Sequence, residues 1–261
     1  MEIRMDGRNA LITGGSKGLG YAMADRFLEA GATVAIVARG QADLDRAVAA
    51  LQARHTGTTV KGYQGDVSRA DEISRIWQAV TAEFEQIDIL VNNAGHAKVG
   101  EFESITDEEW QADIDLKLMA AVRLTRLAFP GMKARQWGRV LNMLNIYAKT
   151  PSAGTAPTSV TRAAGMALTK VLAGEGAPHN VLVNALNIGS IKSDQVRRWY
   201  DASDKSLDFE AFVARSGSRL PMGRMGEAEE CANLACFLCS EAGSYVTGTS
   251  INMDGGASPV L

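Results

Sequence analysis

The stretch Thr13-Gly14-Gly15-Ser16-Lys17-Gly18-Leu19-Gly20 has the composition of a phosphate loop. Its glycines permit a tight turn and let the backbone come close to an anion. An apolar run, 9–13, precedes it and a helical pattern, 18–30, follows at once. That order offers free N–H groups and the positive end of a helix dipole to a pyrophosphate. The spacing is T-G-x-x-x-G-x-G rather than G-x-G-x-x-G. A plain strand–helix turn would use similar glycines, so placement after the first strand of an alternating chain carries the cofactor reading. Gly14, Ser16, Lys17, Gly18, Leu19 and Gly20 are the candidate phosphate-binding residues.

The residue that ends the second strand discriminates between dinucleotides. An acid there accepts from a ribose 2′-hydroxyl, as NAD requires. Here Val37-Ala38 is followed by Arg39. A guanidinium pairs with a 2′-phosphate in a bidentate way, and Lys17 stands in the loop as a second cation. The alternative is two surface cations without a ligand. Their placement favours NADP(H) over NAD(H).

The elements that must position these groups follow from hydrophobic patterning. Short apolar runs at 9–13, 33–38, 59–64, 88–92, 139–144, 181–186 and 250–253 read as strands. Helical patterns at 18–30, 42–55, 70–84, 107–134, 158–176 and 228–238 lie between them. Several strands lack polar alternation, as when helices cover both faces of a sheet. The expectation is an α/β single-domain Rossmann fold over 1–261, with a doubly wound parallel sheet. The polar segment 193–220 interrupts the alternation and is expected to be a helical insertion within that domain.

Length and composition agree. A chain of 261 residues can bury a large core without staples. Lys and Arg number 27 against 30 Asp and Glu, a formal charge of −3. That balance advertises neither nucleic acid nor an anionic membrane as a partner. The N-terminus is too charged for a signal peptide and no apolar run approaches membrane-spanning length, so the expected location is cytoplasmic. Cys231, Cys236 and Cys239 match part of an iron–sulfur spacing, but a fourth cysteine is absent. They are expected to be apolar side chains on a packed helix, with no metal site.

Further motifs accompany the loop: Gly65-Asp66-Val67 after the third strand, Asn92-Asn93-Ala94-Gly95 after the fourth, Leu220-Pro221-Met222-Gly223-Arg224, and 247–256 ending in Asp254-Gly255-Gly256. With them the whole chain resembles the short-chain dehydrogenase/reductase family, and within it the 3-oxoacyl-carrier-protein reductases. The resemblance implies a seven-stranded sheet, a homotetramer or dimer, and a small-molecule substrate. It implies that Asp66 and Val67 lie at the adenine and that Asn92, Ala94 and Gly95 line the cofactor ribose. It places Gly189, Ile191 and Ser193 at the nicotinamide, with 193–220 as a substrate lid carrying Arg197-Arg198-Trp199-Tyr200.

The family reduces a carbonyl with an Asn–Ser–Tyr–Lys tetrad. Aligned on neighbouring motifs, those positions hold Lys117, Asn145, Thr158 and Arg162 in this chain. Arg162 can still donate to ribose hydroxyls but does not release a proton. Thr158 is far less acidic than a phenol. Asn145 can still polarise a carbonyl. Lys117, His96 and Tyr147 are the candidate replacement proton donors, each equally readable as a structural side chain. Three functions fit: an NADP(H)-dependent oxidoreductase of small carbonyl or hydroxy compounds with a rebuilt proton-transfer set, a cofactor-binding protein without turnover, and a non-redox enzyme on the same fold. The first is preferred.

Overall fold

Strand residues alternate between two apolar layers, and this sets the architecture. In β1 (Asn9–Thr13) and β2 (Thr33–Ala38), Ala10, Ile12, Val34 and Ile36 face one layer. Leu11, Ala35 and Val37 face the other. Both faces are therefore buried, as the continuous apolar runs require. The computed structural model describes residues 3–261. Met1 and Glu2, part of the charged N-terminus, lie outside the described residues.

Adding β3 (Val60–Gln64), β4 (Ile89–Asn92), β6 (Gly138–Asn145), β8 (Val181–Ile188) and β9 (Ser250–Met253) gives a seven-stranded sheet in the order β3-β2-β1-β4-β6-β8-β9. Every neighbouring pair in it is parallel. The first layer is made by α1 (Gly18–Glu29), α2 (Gln41–Arg54) and α9 (Ala228–Cys239). The second is made by α3 (Ala70–Phe84), α5 (Ala120–Ala134) and α6 (Thr158–Gly176). On α1, Gly20, Met23, Ala24, Phe27 and Leu28 repeat at helical spacing and are buried. Each large side chain there contributes roughly 1.5–3 kcal/mol, and Phe27→Ala would lose about 3–5 kcal/mol through the cavity it leaves. Cys231, Cys236 and Cys239 are reduced and buried on α9. Burial pushes their thiols up, to about 12 for Cys231 and about 11 for Cys236. Among the described residues no His, Cys, Asp and Glu grouping could hold a metal.

Two features depart from the sequence expectation, and the helical insertion is as expected. The helix expected over 107–134 is divided into α4 (Asp107–Ile114), a π-helical turn (Asp115–Met119) and α5. A π turn inserts an extra residue into the hydrogen-bond ladder and rephases the side chains. Here it accompanies the inward placement of Lys117. The insertion 193–220 contains two helices, α7 (Asp194–Asp201) and α8 (Phe209–Gly217), around a small core of Val196, Val213 and Met225. Finally, β5 (Val99–Gly100) pairs antiparallel with β7 (Ala156–Pro157), a second sheet too short to be seen in the periodicity.

Candidate active site

The strand ends build the phosphate loop's support. Thr13 Oγ1 accepts from the backbone N–H of Asn93 and of Ala94, both at 3.0 Å. Asn93 Nδ2 donates back to the Thr13 and Gly14 carbonyls at 2.9 and 3.2 Å. The loop after β1 is thereby fixed to the loop after β4. Gly14 and Gly18 have φ of +68° and +54°, a conformation that favours glycine. A Cβ on Gly20 would stand 2.2 Å from the Gly14 carbonyl oxygen. No side chain caps the N-terminus of α1, so its first-turn N–H groups face the loop mouth. These residues fit a dinucleotide pyrophosphate.

The cleft beside the loop holds about 650 Å³ and is lined by Arg39, Asp66, His96, Lys98, Asp113 and Leu116 among others. Arg39 is exposed at the end of β2, and its carbonyl accepts from Gln64 Nε2. Asp66 Oδ1 accepts from the Ser68 N–H and hydroxyl at 2.9 and 2.8 Å, which orients the carboxylate. Val67 is buried beneath it. Asn92 Nδ2 donates to Asn142 Oδ1 at 2.9 Å, while Asn92 Oδ1 is buried without a partner. On the far side, the loop after β8 brings Ser193 next to Gly18. Gly189 is required there, because a Cβ would lie 2.5 Å from Asp254 Cβ. Ile191 is buried and bridges to Gly226.

Of Lys117, Asn145, Thr158 and Arg162, the first and third are joined in a closed polar network. Thr158 is buried, and its hydroxyl donates to the Lys98 carbonyl at 2.7 Å. The same oxygen accepts from the Lys98 N–H at 3.0 Å and from Lys117 Nζ at 2.7 Å. One donor and two acceptor sites are all a threonine hydroxyl has, so it is saturated. Lys117 also pairs with the buried Asp113, four residues back, and its side chain has no exposed surface. Asp113 Oδ2 accepts from Thr161 Oγ1 at 2.7 Å. Arg162 Nη1 donates to the Met143 carbonyl at 2.7 Å. Its Nη2 lies 2.7 Å from where a Gly95 Cβ would be, so the glycine admits the guanidinium. Burial and the Arg162 charge push Lys117 down to about 8, against the opposing pull of Asp113. Burial likewise pushes Arg162 down to about 10. Asn145 Oδ1 is buried without a partner at the end of β6.

The family model described as enoyl-(acyl carrier protein) reductase matches residues 14–258. The 3-oxoacyl-[acyl-carrier-protein] reductase of Aquifex aeolicus is 32% identical over 256 residues, covering 98% of this chain and 99% of that protein. The chain belongs to the short-chain dehydrogenase/reductase family. Among solved structures, L-sorbose reductase of Gluconobacter frateurii, complexed with NADPH and L-sorbose, is 33% identical with a TM-score of 0.93 over 100% of both chains. A short-chain oxidoreductase of Pseudomonas aeruginosa PAO1, NADPH-bound and described as containing an atypical catalytic center, is 32% identical with a TM-score of 0.92, over 99% of this chain and 100% of that one.

In this short-chain dehydrogenase/reductase the sequence candidates separate into two groups. Arg39, Asp66 and His96 line the cleft, while the loop residues are tied through Asn93 to the segment after β4 and Gly18 lies next to Ser193. The expectation that Lys117 opens into the pocket as a proton donor is corrected: Asp113 and Thr158 hold its ammonium in the interior. For Arg162, Nη1 is taken by the Met143 carbonyl while Nε is buried without a partner. Lys17 is not free either; its Nζ lies 2.7 Å from Asp43 Oδ2. Tyr147 is 38% exposed beside Asn145. His96 is exposed and lines the cleft. Partial enclosure, then the charges of Lys117 and Arg39, hold its imidazole below the ordinary value. Between α7 and α8, the Arg197 guanidinium lies 3.8 Å over the Phe209 ring and Tyr200 packs edge-on against Phe209 and Phe212. Trp199 alone of that quartet's aromatics is broadly exposed.

Sequence reasoning missed Asp113 and Lys98. Asp113 had a signal, an acid four residues before Lys117 on one helical pattern. The part played by Lys98 is its backbone, which leaves no mark in residue type. No helix of the described residues is long and apolar enough to cross a membrane.

Proposed function

We propose that this chain is an NADP(H)-dependent oxidoreductase acting on a small carbonyl or hydroxy compound. The observation that carries the reading is the dinucleotide cradle, where Gly14, Gly18 and Gly20 leave room for backbone approach and Arg39 stands at its open edge. A bound nicotinamide supplies or takes up hydride. Gly14–Gly20 hold the pyrophosphate, Arg39 the 2′-phosphate, Asp66 and Val67 the adenine, and Asn92, Ala94 and Gly95 the ribose. Gly189, Ile191 and Ser193 flank the nicotinamide, and 193–220 closes over the substrate. The NADPH complexes of the two structural neighbours support the choice of cofactor.

Proton transfer in this reading falls to His96. It is the imidazole on the cleft wall, whereas Thr158 is saturated and Lys117 enclosed. Its depressed pKa leaves it neutral near pH 7, which suits accepting a proton from an alcohol. Asn145 orients the reacting oxygen through its amide. A homo-oligomer, tetramer or dimer, belongs to the same reading.

A second reading, cofactor binding without turnover, is favoured by the closed Lys117–Thr158 network. Titration with NADPH and NADH, followed by NADPH consumption against small ketones and NADP reduction with the matching alcohols, separates the two. Tighter NADPH binding with turnover supports the oxidoreductase. NADPH binding without turnover in either direction supports the second reading. Equal affinities for NADPH and NADH refute the cofactor assignment.

A further inference from the structure

The mouth between the phosphate loop and the turn after β2 is spanned by one carboxylate. Asp43 lies in the first turn of α2. Its Oδ2 is 2.7 Å from Lys17 Nζ, and its Oδ1 pairs with Arg46. The same Oδ2 would lie 3.6 Å from a Cβ on Gly40, so the carboxylate sits against the Arg39–Gly40 turn. Lys17 belongs to the phosphate loop and Arg39 to the cleft wall. Asp43 thus occupies the ground between the two cations that a 2′-phosphate would need.

We propose that Asp43 is a specificity-determining residue of this chain, an internal counter-ion that a 2′-phosphate displaces from Lys17. The inference rests on the NADP(H) reading above. Charge supports the exchange. Lys17, Arg39 and Arg46 against Asp43 leave a net of two positive charges, which matches a phosphate monoester of about −1.5 to −2. Geometry supports it too. Because Asp43 is shared, Lys17 can turn to a phosphate while Arg46 keeps the carboxylate satisfied. Lys17 and Asp43 are partly exposed, so the exchange needs no opening of the core. A 2′-hydroxyl has no charge to compete with, and Lys17 then stays on Asp43. The carboxylate therefore lowers affinity for the 2′-phosphorylated ligand and leaves the other unaffected.

Binding of 2′,5′-ADP and 5′-AMP at low ionic strength, followed by calorimetry, tests this without any turnover. Asp43→Asn should tighten 2′,5′-ADP by about two- to fivefold, the range of an exposed ion pair, and leave 5′-AMP unchanged. Asp43→Ser should do the same. In a Lys17→Gln background the gain should vanish, since the cation it frees is gone. No change, weaker 2′,5′-ADP binding, an equal shift of both ligands, or a gain that persists with Lys17→Gln would each overturn the inference while leaving the NADP(H) reading standing. A parent protein that does not prefer 2′,5′-ADP over 5′-AMP would overturn the NADP(H) reading itself, and this inference with it.

Discussion

Lys117 Nζ donates to the Thr158 hydroxyl at 2.7 Å, so the two residues that the motif spacing aligns with the family's Asn and Tyr are bonded to each other. Neither is left to meet a substrate. The hydroxyl's own proton goes to the Lys98 carbonyl, and β5–β7 pairing holds that segment in place. Asp113, Lys117 and Thr158 make an internal strap between α4 with its π turn, α6 and the loop after β4.

Restoring the family's tetrad must therefore remove the strap as well as supply a phenol. Thr158→Tyr alone should give no measurable NADPH-dependent ketone reduction, because the position is buried and already bonded. Thr158→Tyr, Arg162→Lys, Asn145→Ser and Lys117→Asn together would strand Asp113 in the interior. Adding Asp113→Ala should recover folding and give initial-rate NADPH loss above the fourfold variant. Equal rates and equal melting temperatures for the two would contradict this.

Asp113 is the negative member among Lys117 and Arg162. Asp113→Asn should destabilise the chain by about 3–5 kcal/mol, since breaking one partner leaves buried charge uncompensated. Asp113→Leu combined with Lys117→Met should lie much closer to the parent. Urea unfolding of the parent, Asp113→Leu, Lys117→Met and the pair measures the coupling; additive losses would argue against the ion pair.

Lys117 also predicts a pH signature. Its folded value of about 8 lies below its ordinary 10.5. Between those values the unfolded chain binds the extra proton, so this group makes stability rise with pH, by at most about 1.4 kcal/mol per unit. The raised thiol of Cys231 acts in the opposite sense above pH 9. The informative quantity is therefore the parent minus Lys117→Met, which should move in the parent's favour from pH 7.5 to 10. A flat difference would place the lysine in solvent.

For His96, alcohol oxidation should rise with pH through a value below 6.5 and then level, as the imidazole loses its proton. His96→Gln should lower that rate by about 10²–10⁴-fold and remove the inflection. Tyr147→Phe should leave both intact. The pH profiles of the three proteins decide the assignment.

The sheet and the turns that join its strand ends were legible because apolar runs, glycines and the N-N-A-G segment speak through residue type. The limits of β1, β2 and β9 agree with the patterning to the residue. Lys117 was not legible. Its type and position suggested an open proton donor, but its fate is decided by a π turn, by Asp113 on the preceding turn and by a threonine far along the chain. The lock on Thr158 comes from backbone atoms of Lys98, brought close by a two-residue strand pairing. Such contacts depend on tertiary placement, which neither periodicity nor composition encodes.

In the proposed oxidoreductase, NADP(H) turns over without Thr158 acting as an acid. The direct measurement is the rate of NADP reduction across a panel of small alcohols by the parent, Thr158→Val and His96→Gln, with NADPH affinity measured on each. Parent turnover that survives in Thr158→Val and is lost in His96→Gln, at unchanged NADPH affinity, is the predicted result. Turnover lost in Thr158→Val but kept in His96→Gln, again with NADPH still bound, would contradict it.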